Sequence, residues 1–274
     1  YATFSPVVIA EQLEAARAAR ADVKPKAPAT TEAKAVAARY EFTRDDLWRG
    51  SIFPGSDADN WLVAGSAAYW QVLRGLPEKA ADRPDALARA LGSLRSRLAY
   101  VTAREADVAA AKGGVAYDRY APALVPRIKG AFALHQLRLV SGNAAFFAFM
   151  KDFHARHRGQ EVTTAQFLSA ARASLGRDVE PELRPWIDRT GVPAPAPTID
   201  VAPRGQEWRV TVRATQPAEA YRLATTVAVE AGDVRHLFPM TVEGSKGEAS
   251  FTVPEKPGRV VFDALADFPA ATDR

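Results

Sequence analysis

The hydrophobic period changes once along this chain, and that change dictates two kinds of body in sequence. Up to about residue 193 apolar side chains recur at helical spacing; beyond it they alternate. A helix buries one residue in three or four and a strand every second one, so no single element type serves both halves. The switch falls at Pro193-Ala194-Pro195-Ala196-Pro197, whose alternating prolines hold the chain extended and predict a stiff linker over 194–197. After it, Trp208, Val210 and Val212 alternate with Arg209, Thr211 and Arg213. Thr226, Ala228, Phe251, Val253, Val260 and Phe262 fall in similar runs, separated by turn signals at Gly205, Gly232-Asp233, Gly244-Ser245 and Pro257-Gly258. Several short strands at that spacing predict a small Ig-like β-sandwich over 198–274. The expected class is therefore α+β multidomain, an all-α body followed by the sandwich.

Before the switch the pattern is helical. Residues 1–40 read as an N-terminal arm: an Ala-rich helix over 6–22, a Pro-rich connector over 23–31, and a second helix from Thr31 to about Arg39. Residues 41–193 form the main helical domain. Trp61, Leu62, Ala64, Ala68, Tyr69, Val72 and Leu73 fall on a helix over 59–74, with Asp59 or Asn60 as its N-cap. Residues 84–111 hold one or two more helices. Pro122 and Pro126 are expected to interrupt the chain ahead of another, which stops and restarts at Ser141-Gly142-Asn143. Phe146, Phe147, Phe149, Met150 and Phe153 give the next helix a broad apolar face. Thr163-Thr164-Ala165-Gln166 is a capping box opening a helix that ends before Gly176, and Pro181 starts a last one through Trp186.

The chain has no Cys, which excludes disulfides and thiolate metal sites, and only four His: His135, His154, His157 and His236. His154 and His157 stand three apart, but Lys151, Arg156 and Arg158 around them favour a solvated basic face over a metal pair. His135, in an apolar helix, reads as a core residue and His236 as an ordinary strand position. Asp45-Asp46 lacks a further acidic partner for acid–base work, and Ser66 has no His or Asp at a nucleophile's spacing. Net charge is +4, with 27 basic against 21 acidic residues before 198 and 9 against 11 after it. No dense basic run or nucleic-acid motif accompanies that excess, and no apolar stretch reaches 18 residues, so neither nucleic acid nor a membrane span is expected.

Several stretches carry a specific pattern: Trp61-Leu62-Val63-Ala64-Gly65-Ser66-Ala67-Ala68-Tyr69, Arg127-Ile128-Lys129-Gly130, and Trp48 with Gly50. Together with Gly142-Asn143, the Thr163 box and Trp186-Ile187, they make residues 42–193 resemble the distal part of the gluzincin zinc aminopeptidases, the family of aminopeptidase N and leukotriene hydrolase. In that family two His of H-E-x-x-H and a Glu in W-L-x-E-G-x-A-x-Y hold zinc, the Glu of H-E-x-x-H activates water, and the Tyr of Y-E-K-G stabilises the oxyanion. No H-E-x-x-H occurs here. The resemblance places Phe42 and Asp46 in the His slots, Thr43 in the general-base slot, Ala64 in the Glu slot and Arg127 in the Tyr slot. Lys129 is expected to be structural.

What the resemblance implies is a scaffold with every catalytic slot rewritten: no catalytic residue, no metal ligand, no cofactor. Asp46 and Arg127 remain as candidate binding residues in the former cleft, expected to form an ion pair across the old metal position. The leading expectation is a non-catalytic module that binds a protein or peptide or braces a larger assembly. The alternative is a piece of a zinc aminopeptidase whose H-E-x-x-H half lies elsewhere in a longer chain or in a partner subunit. The start at Tyr1 carries no signal-peptide pattern, as a processed chain would not, and many relatives of the family it resembles work outside the cytoplasm; the location stays open, with an extracytoplasmic one, secreted or periplasmic, favoured.

Overall fold

The computed structural model describes residues 36–114, 119–217 and 221–269. The expected helix over 6–22, its connector and most of the helix over 31–39 lie outside them. Residues 36–38 are a helical turn, and Val36 in it and Tyr40 after it are buried in the core. The helices are α1 (Asn60–Arg74), α2 (Arg83–Thr102), α3 (Tyr120–Ser141), α4 (Asn143–Arg156), α5 (Thr164–Leu175) and α6 (Glu180–Asp188). A minimal parallel pair, β1 (Phe53–Pro54) with β2 (Glu161–Val162), ties the segment before α1 to the segment before α5.

Helices α1 and α3 form the centre of the helical body. Their backbones touch: a Cβ on Gly65 would lie 2.6 Å from the carbonyl carbon of Gly130, and one on Gly130 would lie 2.3 Å from the Trp61 oxygen. Only glycine permits that approach. Helix α3 starts at Tyr120, so Pro122 and Pro126 sit inside it and do not precede it. Pro126 has no N–H to offer the Pro122 carbonyl four residues back, and the Gly114 N–H donates there instead, at 3.1 Å. A side chain at Gly113 would put its Cβ 1.9 Å from Pro126 Cγ, so the strand of chain that repairs the helix must be glycine there.

The helix stop falls where expected, with Gly142 at φ 79° between α3 and α4. The capping box also forms: the Gln166 N–H donates to Thr163 Oγ1 at 3.2 Å and the Thr163 N–H to Gln166 Oε1 at 2.8 Å. Asp59 behaves differently from the expectation. It precedes α1 but does not cap it; its carboxylate accepts the Thr164 N–H at 2.6 Å and so caps α5.

Past α6 come β3 (Ala196–Arg204), β4 (Glu207–Thr215), β5 (Leu223–Ala231), β6 (Val234–Val242), β7 (Lys246–Val253) and β8 (Pro257–Val261). Strand β3 begins at Ala196, inside the stretch expected as linker. Two antiparallel three-stranded sheets result, in orders β3-β4-β7 and β6-β5-β8. The Phe238 and Phe251 rings stack at 4.4 Å between them. Strand β4 alternates buried and exposed residues only toward its C-terminal end, with Val210, Thr211 and Val212 all buried, and β5 is buried from Leu223 to Val229. Strand β5 is covered on both faces, because α3 packs against it as well. A single hydrophobic core therefore runs from the helices into the sheets.

Candidate functional site

The segment expected to correspond to the metal helix is not an α-helix. Residues Arg44–Asp46 form one 3-10 turn, opened by Thr43. Two ligands can share a metal from one α-helix because they stand a turn apart on one face; that arrangement is absent at 42–46. Phe42 is buried, its ring 5.0 Å from that of Phe147 and under the Arg83 guanidinium at 4.6 Å. The Asp46 carboxylate turns back on its own turn, accepting the Thr43 N–H at 2.6 Å and hydroxyl at 2.9 Å. Arg127, on α3, donates to Gln71 Oε1 of α1 at 2.9 Å. Asp46 and Arg127 thus have separate partners and form no ion pair, correcting the expectation of one across the cleft.

The residues expected to match the family pattern have different work. Trp61 is buried and its Nε1–H donates to Thr164 Oγ1 at 2.9 Å. Gly65 and Gly130 are the crossing point of α1 and α3. Lys129 is 1% exposed and its ammonium donates to Asp107 Oδ2, Val108 O and Arg189 O. Burial pulls its pKa down and Asp107 pushes back. Gly50 sits at φ 102°, beyond the reach of most side chains. Ala64 and Arg127, by contrast, are half-buried on the outer side of the α1–α3 pair, next to exposed Ala67 and Gln71.

Tyr69 leads into a polar row that sequence reasoning missed. Its hydroxyl lies 2.8 Å from His135 Nδ1, and His135 Nε2 lies 3.0 Å from Asp267 Oδ1. Burial lowers the His135 pKa against the pull of Asp267, so the ring is neutral: Nε2–H donates to the carboxylate and Nδ1 accepts from the tyrosine. A Tyr–His–Asp row could move a proton, but all three residues are at most 1% exposed. No substrate reaches them. Their neighbours show what the row does. Gln136 donates to the carbonyls of Ala224 and Asp267 and accepts the Ala224 N–H at 2.8 Å. Arg39 donates to Thr226 Oγ1, and Arg95 to the Asp263 carboxylate. The cluster cements α3 to β5 and to the chain after β8. Its only early signal was a His and a Gln amid an apolar helix.

The other singled-out residues are structural as well. His154 is 3% exposed, not on a solvated face: its Nδ1–H donates to the Gly50 carbonyl at 3.3 Å and its ring stacks on Trp48 at 5.7 Å. His157 lies against Phe153 and His236 lies on β6. Ser66 is buried with no hydrogen-bond partner. Among the described residues no three His, Asp or Glu side chains could hold a metal ion. Zinc does not fit the positions expected as its ligand slots, because Phe42 and Ala64 offer no donor and Asp46 is committed to Thr43. No helix among the described residues is long and apolar enough to cross a membrane.

One surface hollow adjoins the turn at residues 44–46. Arg44, Arg49 and Arg74 rim it, and Leu47, Trp48 and Trp70 line it, enclosing about 330 Å³.

No protein-family model matches the chain, and no curated protein matches it in sequence. Among solved structures it is similar to aminopeptidase A of Legionella pneumophila, solved with aspartic acid, at 14% identity and a TM-score of 0.57. The match covers 84% of this chain. The chain has an aminopeptidase-like fold. That fold extends past the helices, since residues 1–193 alone could not supply such coverage. The chain spans only 26% of the length of the Legionella enzyme. A zinc metallopeptidase of Deinococcus radiodurans, bound to a Tyr-Ser-Ala substrate, is 25% identical over 51% of this chain and 30% of its own, at a TM-score of 0.38.

Proposed function

We propose that this chain is a non-catalytic, aminopeptidase-like module that binds a protein or peptide, alone or as a structural subunit of a larger assembly. One observation carries the reading: most residues that match the family pattern have a packing or hydrogen-bonding task, and those that depart from it carry no catalytic chemistry. Trp61, Gly65, Tyr69, Lys129 and Gly130 hold α1 against α3 and their surroundings. Phe42, Thr43, Asp46, Ala64 and Arg127 provide neither a metal donor set nor an activated base. The binding face we assign runs along the outer side of α1 and α3, past Ala64, Gln71 and Arg127, with Asp46 in the adjoining turn.

The test is metal content of the purified chain together with turnover of aminoacyl-coumarin substrates. Zinc well below one per chain and no turnover are expected; stoichiometric zinc with turnover refutes the reading. A second reading, part of a longer or split zinc aminopeptidase, is favoured by the 26% share of the Legionella chain. Under it, turnover appears when this chain is joined to or mixed with an H-E-x-x-H segment, and Arg127→Ala lowers it.

A further inference from the structure

We propose that the hollow between residues 44–49 and the second half of α1 binds an acidic peptide segment of a partner protein, with Asp or Glu residues flanking an apolar one. The proposal rests on the binding-module reading and adds its site and partner chemistry. Arg44 and Arg74 are exposed, and among the described residues neither has a carboxylate within ion-pair distance. Arg49 pairs with Asp45, but the two side chains are 81% and 89% exposed, so the pair is weak and exchangeable. Lys151 donates to the Asp45 carbonyl at 2.8 Å and adds a further cation beside the turn. Asp45 and Asp46 are the acids of the turn itself, and Asp46 is already engaged by Thr43.

The floor is preformed. Trp70 Nε1–H donates to the Trp48 carbonyl at 3.0 Å, and Trp48 is held by His154 and Phe146. A rigid aromatic floor with a guanidinium rim suits a carboxylate-bearing chain, because guanidinium takes a carboxylate through two parallel hydrogen bonds. The volume stands at the small end for ligand sites and suits one or two side chains. Nucleic acid fits less well. Binding a single strand needs open aromatic faces for stacking, and here Arg74 lies over Trp70 at 5.0 Å while Trp48 is buried.

The experiment uses the whole chain and a fluorescein-labelled peptide, Glu-Asp-Phe-Glu-Asp, followed by anisotropy. Its counterpart replaces each acid with the matching amide. We expect the acidic peptide to bind, the amide peptide not to, and binding to weaken with added salt. Arg44→Glu with Arg49→Glu should weaken binding by at least about tenfold. Arg89→Glu with Arg97→Glu, exposed on α2, makes the same change in net charge and should leave binding unchanged. Equal loss in both double variants, equal binding of the amide peptide, or tighter binding of oligothymidylate overturns the proposal. Zinc-dependent turnover would instead sink the non-catalytic reading. Absence of peptide binding in a zinc-free, inactive chain sinks only the acidic-peptide inference.

Discussion

His154 lies inside the helical body, with its ring on Trp48 and one ring nitrogen without a partner. Burial pushes its pKa down to about 4, with the Gly50 carbonyl pulling the other way and His157 adding to the fall. Unfolded, the same ring titrates near 6.5. Between those values the unfolded chain binds a proton that the folded chain refuses, so stability is fully present above about pH 6.5 and falls as pH drops toward 4. The loss reaches up to about 3 kcal/mol. His135, also lowered by burial, acts in the same direction. Urea midpoints from pH 7 to pH 4 measure this loss, and His154→Asn, which keeps a donor for Gly50, should flatten the curve. A curve as steep in that variant as in the parent would show that His154 does not carry it. At this scale the sequence misled, because Lys and Arg neighbours mark a helix face and not the direction a given ring takes.

Helices α1 and α3 depend on two glycines at their crossing. Gly65→Ala or Gly130→Ala must separate backbones that now touch, at a cost of about 3 kcal/mol or more. Gly92 makes the contrast: it lies in α2 with nothing within 4 Å of a Cβ, so Gly92→Ala should stabilise by about 0.5–1 kcal/mol. Chemical denaturation of the three variants checks both signs. The turn at 44–46 bears on metal binding. Phe42→His, Asp46→His and Ala64→Glu together replace the missing donor types, but position 42 is buried against Phe147 and the segment is not an α-helix. We expect that triple variant to take up no stoichiometric zinc on equilibrium dialysis; uptake would mean that the segment still adopts the ligand geometry. Strand β3 has no pairing partner on one edge among the described residues, yet that edge is poorly suited to pairing. Arg204 pairs Glu207 across a two-residue turn, so alternate residues from Pro203 back to Pro197 face outward. Prolines at both ends of that row remove two donors.

The molecule as a whole is cemented by Gln136, His135 and Asp267 between α3, β5 and the chain after β8. Gln136→Met keeps the volume but strands the Ala224 N–H and two carbonyls in the interior. We expect a loss of about 2–4 kcal/mol in a single unfolding transition that includes both helices and sheets. Two separated transitions, with only the sheets destabilised, would show that the bodies unfold independently. Much of this architecture was legible in the chain itself: the switch from helical to alternating period near 193, the Gly142 break, and the Thr163–Gln166 box. Each rests on local geometry, on dihedrals and hydrogen bonds closed within a few residues. The likeness to an aminopeptidase fold was legible too, from the pattern at residues 61–69 and 127–130. Tertiary structure alone decided the rest. Pro126 could stay in α3 because Gly114 supplies the missing donor, Asp59 caps α5 instead of α1, and Asp46 turns to Thr43 away from Arg127. The partner lies eight residues away in the first case and 105 in the second, and only packing chooses among the partners that a polar group could reach.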